Sequence, residues 1–299
     1  MRIISHTAKE EDEGRSVAAI LRGELRLSNG LITRLKREGG IFLNGENAKT
    51  NMRVHSGDIV SAAVGESPAE SGRAPLPFPI LFEDEDILII DKPAGAAVHG
   101  SRYDGAVPSV EDAVNAYFGK IGLFHPVNRL DRGTTGAMAI AKNGFMHEKL
   151  AEELHTNEFE RTYLGICEGV FSEMSGRIEL PIARVEGSAI KREVRESGSP
   201  AITNYRVLDE KNGLSAVEFR LETGRTHQIR VHASALAHPL VGDFLYGTED
   251  KSLIGRPALH SWRLRFTHPL SGERLELEAP LPRDMRELPG GSLGEPPSE

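Results

Sequence analysis

The sequence predicts an α+β protein with two domains of unequal size, and three observations support this prediction. The chain has 299 residues, 39% of them hydrophobic, which is enough for one large core or for two unequal ones. Apolar runs of strand length alternate with stretches in which apolar residues recur at helical spacing. Residues 65–79 are rich in glycine, proline and serine and have no apolar period, so they are expected to be a flexible linker.

Composition limits the class of protein further. The single cysteine, Cys167, makes an internal disulfide impossible and fits a reducing compartment. No apolar run approaches the roughly 20 residues that span a bilayer, and the first residues are too polar for a signal peptide. We therefore expect a soluble, cytoplasmic protein with no membrane partner. Its net charge of −8 means that any nucleic-acid site must be local rather than spread over the surface.

The first domain is expected to comprise residues 1–64. Apolar residues from Val17 to Leu25 keep helical spacing, and a second short helix around Leu31 should end at Gly39-Gly40. Two short strands should follow, one at residues 41–43, closed by the tight-turn pair Asn44-Gly45, and one beginning at residues 59–60.

This first domain contains a locally basic segment. Eight basic and three acidic residues lie from Arg15 to Arg53. A charged run on a helix is usually a solvated face, but two helices followed by small strands resemble the S4 RNA-binding domain. The resemblance implies a small α/β domain whose second helix binds RNA. Its substrate-binding residues would be Arg34, Lys36 and Arg37.

The second domain is expected to comprise residues 80–286, followed by a disordered tail at 287–299. It should begin with two strands joined by an acidic turn, Glu83–Asp86. These acids could be interpreted as a metal cluster, but charges packed into one short turn face water more easily than they converge on an ion. Further elements are predicted as a helix capped by Ser109 and running to Tyr117, a helix over 145–154, a strand at 214–221 and a strand pair within 256–282.

The strongest candidate for catalysis is Asp131, within the segment HPVNRLDRGTTGAMAIAK at residues 125–142. Arg129 and Arg132 flank this acid, so its carboxylate should be ionised and fixed. The apolar run Ala137–Ala141 predicts a buried strand directly behind it, which places Asp131 on a loop of a rigid scaffold. A salt bridge within the loop is the ordinary alternative for a single acid between arginines.

Tyr163 is a second candidate. The segment Arg161–Val170 alternates as a strand does, so Tyr163 shares one face with Gly165 and Cys167. Such small neighbours would leave a slot beside the ring for a flat heterocycle, although a core tyrosine is the ordinary alternative. Cys167 itself is expected to be a small buried hydrophobic residue, because the segment offers no histidine or neighbouring cation that would lower its pKa.

A third candidate segment is residues 222–247, in which a turn at Thr223-Gly224 should lead into a helix capped by Thr226. Three histidines of this segment suggest zinc, but the first two are five residues apart, whereas zinc-binding helices use a spacing of four. No metal is therefore expected. The three histidines are His227, His232 and His238.

Together these segments resemble the RluA-type pseudouridine synthases. The catalytic signature of that family is Arg-Leu-Asp, followed after two residues by two hydroxyl residues and glycine, as at 129–136. The family's first motif, which is mainly structural, resembles residues 91–95 (DKPAG), and its third resembles 227–230 (HQIR). The chain departs from the pattern at Asn128, where histidine is usual, and at Thr135, where serine is commoner. Both substitutes keep the capacity to form hydrogen bonds.

The resemblance implies a catalytic domain built on a mixed, largely antiparallel β-sheet, which isomerises uridine to pseudouridine in RNA without a metal or an organic cofactor. Asp131 would be the catalytic carboxylate, and Arg230 would pair with it. Tyr163 and Ile229 would enclose the flipped base. The residues that would contact the surrounding RNA are Arg129, which would fill the space left in the base stack, and Asn128.

Several questions stay open in the sequence. Asp131 could attack the sugar or the base, or could remove the C2′ proton. Ribosomal RNA is favoured over transfer RNA as the target, and a monomer is expected. An RNA-binding protein with an inactive domain is an alternative, but it would have lost Asp131, Tyr163 or Arg230. A glycoside hydrolase is another, but it would pair two carboxylates, and no second acid accompanies Asp131 in its motif.

Overall fold

The computed structural model describes residues 2–65, 74–100, 107–119, 123–156 and 158–288, which form an N-terminal unit (2–65) and a larger unit (74–288). The described helices are α1 (Val17–Gly23), α2 (Asn29–Glu38), α3 (Val110–Phe118), α4 (Gly144–Thr156), α5 (Gln228–Ala235) and α6 (Arg283–Arg286), with a 3-10 turn at Glu10–Asp12. The described strands are β1 (Arg2–Thr7), β2 (Ile41–Leu43), β3 (Glu46–Asn47), β4 (Ile59–Gly65), β5 (Ile80–Glu83), β6 (Ile87–Lys92), β7 (His125–Pro126), β8 (Thr135–Ala141), β9 (Glu160–Glu168), β10 (Ser175–Glu179), β11 (Ile182–Arg184), β12 (Arg192–Val194), β13 (Ile202–Lys211), β14 (Leu214–Leu221), β15 (Leu259–Thr267) and β16 (Arg274–Glu278).

The N-terminal unit is a four-stranded antiparallel sheet in the order β1-β4-β2-β3, with α1 and α2 packed against it. Ser28 caps α2 by accepting a hydrogen bond from the Leu31 amide at 3.2 Å, and Gly39 ends the helix in the left-handed conformation. The predicted turn at Asn44-Gly45 is confirmed, since both residues have positive φ, 54° and 84°. The predicted helices and strands are present, and β1 is an element that the sequence did not reveal.

The larger unit is built on a ten-stranded sheet. Its main path runs β10-β13-β14-β9-β15-β8-β6-β5, with β16 beside β15 and β7 beside β8. Every pairing is antiparallel except that of β15 with β8, which confirms the predicted mixed, largely antiparallel sheet. Strands β10 to β12 were not predicted, because they are short and contain only two buried residues, so they leave little apolar pattern to detect.

Gly136 determines how β8 leaves the loop of Asp131. Its φ of 106° is rare for residues with a side chain, and a Cβ atom there would collide with the carbonyl oxygen of Ser261 on β15. Gly136 pairs with Ser261 in the register of these two strands. Glycine at this position therefore lets β8 pack closely against β15. Because β8 begins four residues after Asp131, this packing also determines where the loop of Asp131 ends.

The two units contact each other along α4. Phe145, near the start of α4, is buried in the hydrophobic core of the N-terminal unit. The Ser28 hydroxyl donates to Glu148 Oε2 at 3.1 Å, so the first turn of α2 is joined to the same helix. Leu154 and His155, near the other end of α4, line the cavity described below. Helix α4 therefore touches both the N-terminal unit and the candidate site.

The predicted linker and tail can be compared with the structure only in part. Gly65 ends β4, and residues 66–73 lie outside the described residues. The tail prediction was wrong at its start, because Leu288 is buried beside Met285; residues 289–299 lie outside the described part of the chain. Among the described helices, none combines the length and the apolar character needed to cross a membrane.

Candidate active site

A cavity of about 450 Å³ lies between the loop of Asp131, β9 and the start of α5. Every residue predicted for the site in the second domain lines this cavity, although the residues come from three separate segments. They are Asn128, Arg129, Asp131, Tyr163, Ile229 and Arg230. The three cations predicted to bind RNA in the first domain lie elsewhere, exposed on α2. They are Arg34, Lys36 and Arg37.

The loop of Asp131 is held by the segment whose role was predicted to be structural. The amide of Gly95 donates to the carbonyl oxygen of Arg132 at 2.8 Å, and Arg132 Nε donates back to the Gly95 carbonyl at 2.9 Å. Lys92 is fully buried and donates through Nζ to two carbonyl oxygens of its own turn at 2.9 Å and to that of Arg132 at 3.4 Å. Burial lowers the pKa of Lys92 to about 7. These contacts fix the loop, while the side chain of Asp131 remains 27% exposed to the cavity.

Arg230 contacts two carboxylates with different geometry. Its Nε and Nη2 donate to the two oxygens of Asp243, both at 2.7 Å, which is a bidentate pair. Its Nη1 lies 3.6 Å from Asp131 Oδ2. The predicted proximity of Arg230 and Asp131 is therefore present, but the main partner of the guanidinium is Asp243, which sequence reasoning missed. Asp243 is fully buried and also accepts the amides of Leu245 and Tyr246.

His227 is another residue of the site, for which the sequence had suggested only a role in binding zinc. Its Nε2 lies 3.8 Å from Asp131 Oδ2, and its Nδ1 lies 2.9 Å from the Tyr246 hydroxyl. Burial lowers the pKa of His227. The predicted cap at Thr226 was wrong, since His227 precedes α5 in the left-handed conformation with φ of 59° and makes no side-chain cap. The positive φ was the structural feature that the sequence did not signal.

The other two histidines of the segment serve different partners. His232 is buried between the Thr203 hydroxyl and the Leu180 carbonyl oxygen, each 2.9 Å from a ring nitrogen. His238 Nδ1 lies 2.9 Å from the carbonyl oxygen of Glu168. Within the described residues, no group of three metal-ligating side chains converges on one point.

Tyr163 and Ile229 are both buried where they line the cavity. Burial raises the pKa of Tyr163, so its hydroxyl keeps its proton at neutral pH. The predicted slot over Gly165 was wrong, because Phe219 and Leu240 already fill the space that a side chain there would occupy. The open space next to Tyr163 therefore lies toward the loop of Asp131 and not along β9.

Asn128 and Arg129 line the cavity in different ways. The side-chain oxygen of Asn128 accepts the Ala139 amide at 2.7 Å, and its Nδ2 donates to the Ala137 carbonyl at 3.4 Å. The amide thus ties the loop to β8, and its predicted contact with RNA stays a prediction. Arg129 is exposed at the mouth of the cavity, where it can reach a bound molecule.

Among the described residues of the cavity wall, the other carboxylate is Glu222. Arg177 Nη2 lies 3.2 Å from its Oε2, and Asn204 donates to its Oε1 at 2.8 Å. The hydrogen bond from Arg177 lowers the pKa of Glu222. A glycoside hydrolase needs a carboxyl group with a raised pKa as its general acid, and the lowered pKa of Glu222 does not suit that role.

The comparisons with known proteins agree with this geometry. Residues 86–235 match the profile of a family described as RNA pseudouridylate synthase. The Bacillus subtilis protein named Uncharacterized RNA pseudouridine synthase YhcT is 38% identical over 93% of this chain and 94% of its own length. Ribosomal large subunit pseudouridine synthase D of Xanthomonas campestris pv. campestris is 34% identical over 92% of this chain and 88% of its own length. The solved structure of Human RNA Pseudouridylate Synthase Domain Containing 1 aligns with a TM-score of 0.58 and 27% identity, over 71% of this chain and 86% of that one.

Proposed function

The chain belongs to the RNA pseudouridylate synthase family and is an RNA pseudouridine synthase, and we propose that Asp131 is its catalytic carboxylate. One observation carries this proposal: Asp131 reaches the cavity from a fixed loop, with the cationic Nη1 of Arg230 at 3.6 Å. The guanidinium places a positive charge beside the carboxylate that the reaction requires.

A single carboxylate is sufficient for this reaction. The N-glycosidic bond breaks, the uracil turns within the cavity, and C5 bonds to C1′. Asp131 can attack the sugar or the base, or can remove the C2′ proton, and each route uses one oxygen of an ionised carboxylate. Both Arg230 and His227 face Oδ2 of Asp131, which leaves Oδ1 available to the substrate.

The flipped uracil would lie between Tyr163 and Ile229. Both side chains are buried at the cavity wall, and an aromatic ring suits stacking against a flat heterocycle. Flipping costs a few kcal/mol of lost stacking. Arg129 is exposed at the mouth, where its guanidinium could enter the space that the uridine leaves in the RNA.

Structured ribosomal RNA is the proposed target. The cavity wall carries more cations than acids, and α2 presents further exposed cations, which suits a polyanion. Similarity to a ribosomal large subunit pseudouridine synthase over 92% of this chain supports ribosomal over transfer RNA. The four arginines of the cavity wall are Arg129, Arg161, Arg225 and Arg230.

The test combines one substitution with mapping of the product. Asp131→Asn keeps the shape of the side chain but removes the charge, so it should lower the rate by about four orders of magnitude, which corresponds to about 5.5 kcal/mol of barrier. Its affinity for RNA should be largely kept. New pseudouridines are mapped in large-subunit ribosomal RNA and in transfer RNA after incubation with each protein. Asp209→Asn, at an exposed position on β13, is the matched control and should remain fully active.

Activity of Asp131→Asn near the wild-type rate would rule out Asp131 as the catalytic carboxylate. Modification of transfer RNA alone would rule out the ribosomal target while leaving the assignment of Asp131 intact.

A further inference from the structure

Arg161 is a buried cation without a carboxylate partner among the described residues. Its side chain lines the cavity at the start of β9. Nη2 donates one long hydrogen bond, 3.4 Å, to the carbonyl oxygen of Leu221, and the buried Nε has no partner. A guanidinium group has five N–H donors and no acceptor, and the bond to Leu221 engages only one of them. Burial lowers the pKa of Arg161.

The other buried arginines of the described chain each bind both oxygens of a carboxylate within the protein. Arg230 has the bidentate pair with Asp243, and Arg256 donates to both oxygens of Asp284 at 2.7 and 2.8 Å and also to backbone carbonyls. Burying a cation costs free energy that such partners normally offset. Arg161 lacks this compensation, which is the pattern expected where a bound anion supplies it.

The position of Arg161 indicates which anion this would be. Side chains two residues apart on a strand point to the same face and are separated by roughly 6.6 Å along it. Arg161 therefore lies beside Tyr163, on the cavity side and toward the end of β9. Gly224 is exposed and lies next to Arg161, whose Nη1 is 2.8 Å from the position a Cβ atom would take there. Arg161 therefore lies between Tyr163 and the mouth of the cavity. In a nucleotide, the anion at a comparable distance from the base is the phosphate.

We propose that Arg161 binds a backbone phosphate of the flipped uridine itself. This inference rests on the proposed placement of the uracil between Tyr163 and Ile229. The phosphate supplies the acceptors that Arg161 lacks and anchors the nucleotide only after the base has entered the cavity. The contact thereby favours the flipped state over RNA bound at the surface.

The experiment measures RNA affinity as a function of salt. In the full-length protein carrying Asp131→Asn, which prevents turnover, Arg161→Met should weaken binding of in vitro transcribed large-subunit ribosomal RNA by roughly 10- to 100-fold, the loss typical of a charged hydrogen bond. The slope of log affinity against log salt should flatten by roughly 0.7, the value for one single-stranded phosphate contact. With Asp131 intact, kcat/KM should fall mainly through KM.

Arg256→Met is the matched control, because it removes an equally buried arginine whose partners lie within the protein. It should lower the midpoint of urea unfolding and leave the salt slope unchanged. Arg161→Met should not lower that midpoint, since it removes an unpaired buried charge. Arg161→Lys keeps the charge and should recover part of the affinity and of the slope.

Unchanged affinity in Arg161→Met would overturn the proposal. Lost affinity with an unchanged salt slope would also overturn it, because the contact would then be to base or sugar. A marked drop in the unfolding midpoint would show that Arg161 is a structural residue. The proposed role of Asp131 is tested separately in the single variant Asp131→Asn, in which Arg161 is unaltered. Retained activity of that variant would contradict the role of Asp131 but not the binding role of Arg161.

Discussion

At the scale of single residues, the site depends on how Arg230 is held. Asp243 is fully buried and binds two guanidinium nitrogens at 2.7 Å, so the position of Arg230 does not depend on Asp131. The remaining nitrogen faces Asp131 at 3.6 Å. A cation fixed in this way stabilises the carboxylate without a tight hydrogen bond to it, and Asp131 stays free to react.

This arrangement predicts that Arg230→Ala reduces stability as well as activity. The substitution leaves the charge of Asp243 buried and unpaired, and breaking a buried pair in this way costs about 3–5 kcal/mol of the free energy of unfolding. Urea unfolding of both proteins measures the difference. Asp131→Ala is the control, because it keeps the pair of Arg230 with Asp243 and should unfold near the wild-type midpoint. Equal stability of Arg230→Ala and wild type would show that the pair contributes little.

The residues that the sequence could not predict share a physical reason. Asp131, Tyr163 and Arg230 lie in segments whose local patterns could be recognised. Asp243 binds Arg230 from 13 residues further along the chain, through a loop whose path no periodicity reveals. The slot predicted over Gly165 is filled by Phe219, which lies on a neighbouring strand and can be placed only when the strand order is known.

At the scale of elements, the pairing of β8 with β15 holds the loop of Asp131 in place. Thr135 begins β8, and its hydroxyl lies 2.8 Å from Nδ1 of His260 on β15. Nε2 of His260 lies 3.2 Å from the carbonyl oxygen of Ala279, to which it can donate. The ring is thus satisfied in its neutral form. Burial lowers the pKa of His260 to about 4.

This shift predicts a loss of stability in mild acid. Between pH 6.5 and 4 the unfolded chain binds a proton at His260 that the folded protein does not, so the free energy of unfolding falls as the pH falls through this window. The contribution is about 3 kcal/mol, fully present above pH 6.5 and lost near pH 4. Denaturant unfolding over this range should show a shallower pH dependence for His260→Gln than for wild type. The exposed His99→Gln should match wild type; equal pH dependence in all three proteins would contradict the prediction.

The elements differ in how far the sequence predicted them. Strands β6 and β8 are buried over most of their length, and each was recognised by an unbroken apolar run. Strand β9 is also mostly buried but was recognised by the alternation of its residues. The start of α5 was misplaced because Gln228, rather than Thr226, organises the turn: its Oε1 accepts the Thr223 hydroxyl and the Arg225 amide. A long side chain that folds back on its own turn leaves no distinctive spacing in the sequence.

At the scale of the whole molecule, the N-terminal unit is packed on the larger unit rather than only tethered to it. Phe145 of α4 is buried in the core of the N-terminal unit, and Arg2 Nη2 pairs with Asp86 Oδ2 at 2.7 Å. A fragment that begins near Pro75 would expose Phe145 and lose the Arg2 contact. Truncation would therefore change the stability of the larger unit as well as RNA binding. Substitution of exposed charges on α2 tests RNA binding by the N-terminal unit without removing these contacts.

Reversal of three charges on α2 should weaken RNA binding without affecting catalysis at saturating RNA. Arg34, Lys36 and Arg37 are exposed, and α2 is held by buried residues on its opposite face, so replacing all three with glutamate should keep the fold. If each cation neutralises one phosphate, the slope of log affinity against log salt should flatten by about 2. The rate at saturating RNA should stay near that of wild type, since the cavity is unaltered.

A matched control separates this local effect from net charge. Replacing Lys211, Lys251 and Arg283 with glutamate makes the same change in net charge at exposed positions of the larger unit. If α2 binds RNA, the slope of log affinity against log salt should become flatter only in the α2 variant. If general repulsion between protein and RNA is the cause, the slope should change similarly in both variants. Equal salt slopes in the two variants would therefore exclude α2 as the RNA-binding surface. A lower rate at saturating RNA in the α2 variant alone would instead show that the N-terminal unit acts on the active site. Helix α4 would carry this effect, since its start contacts the N-terminal unit and its other end lines the cavity.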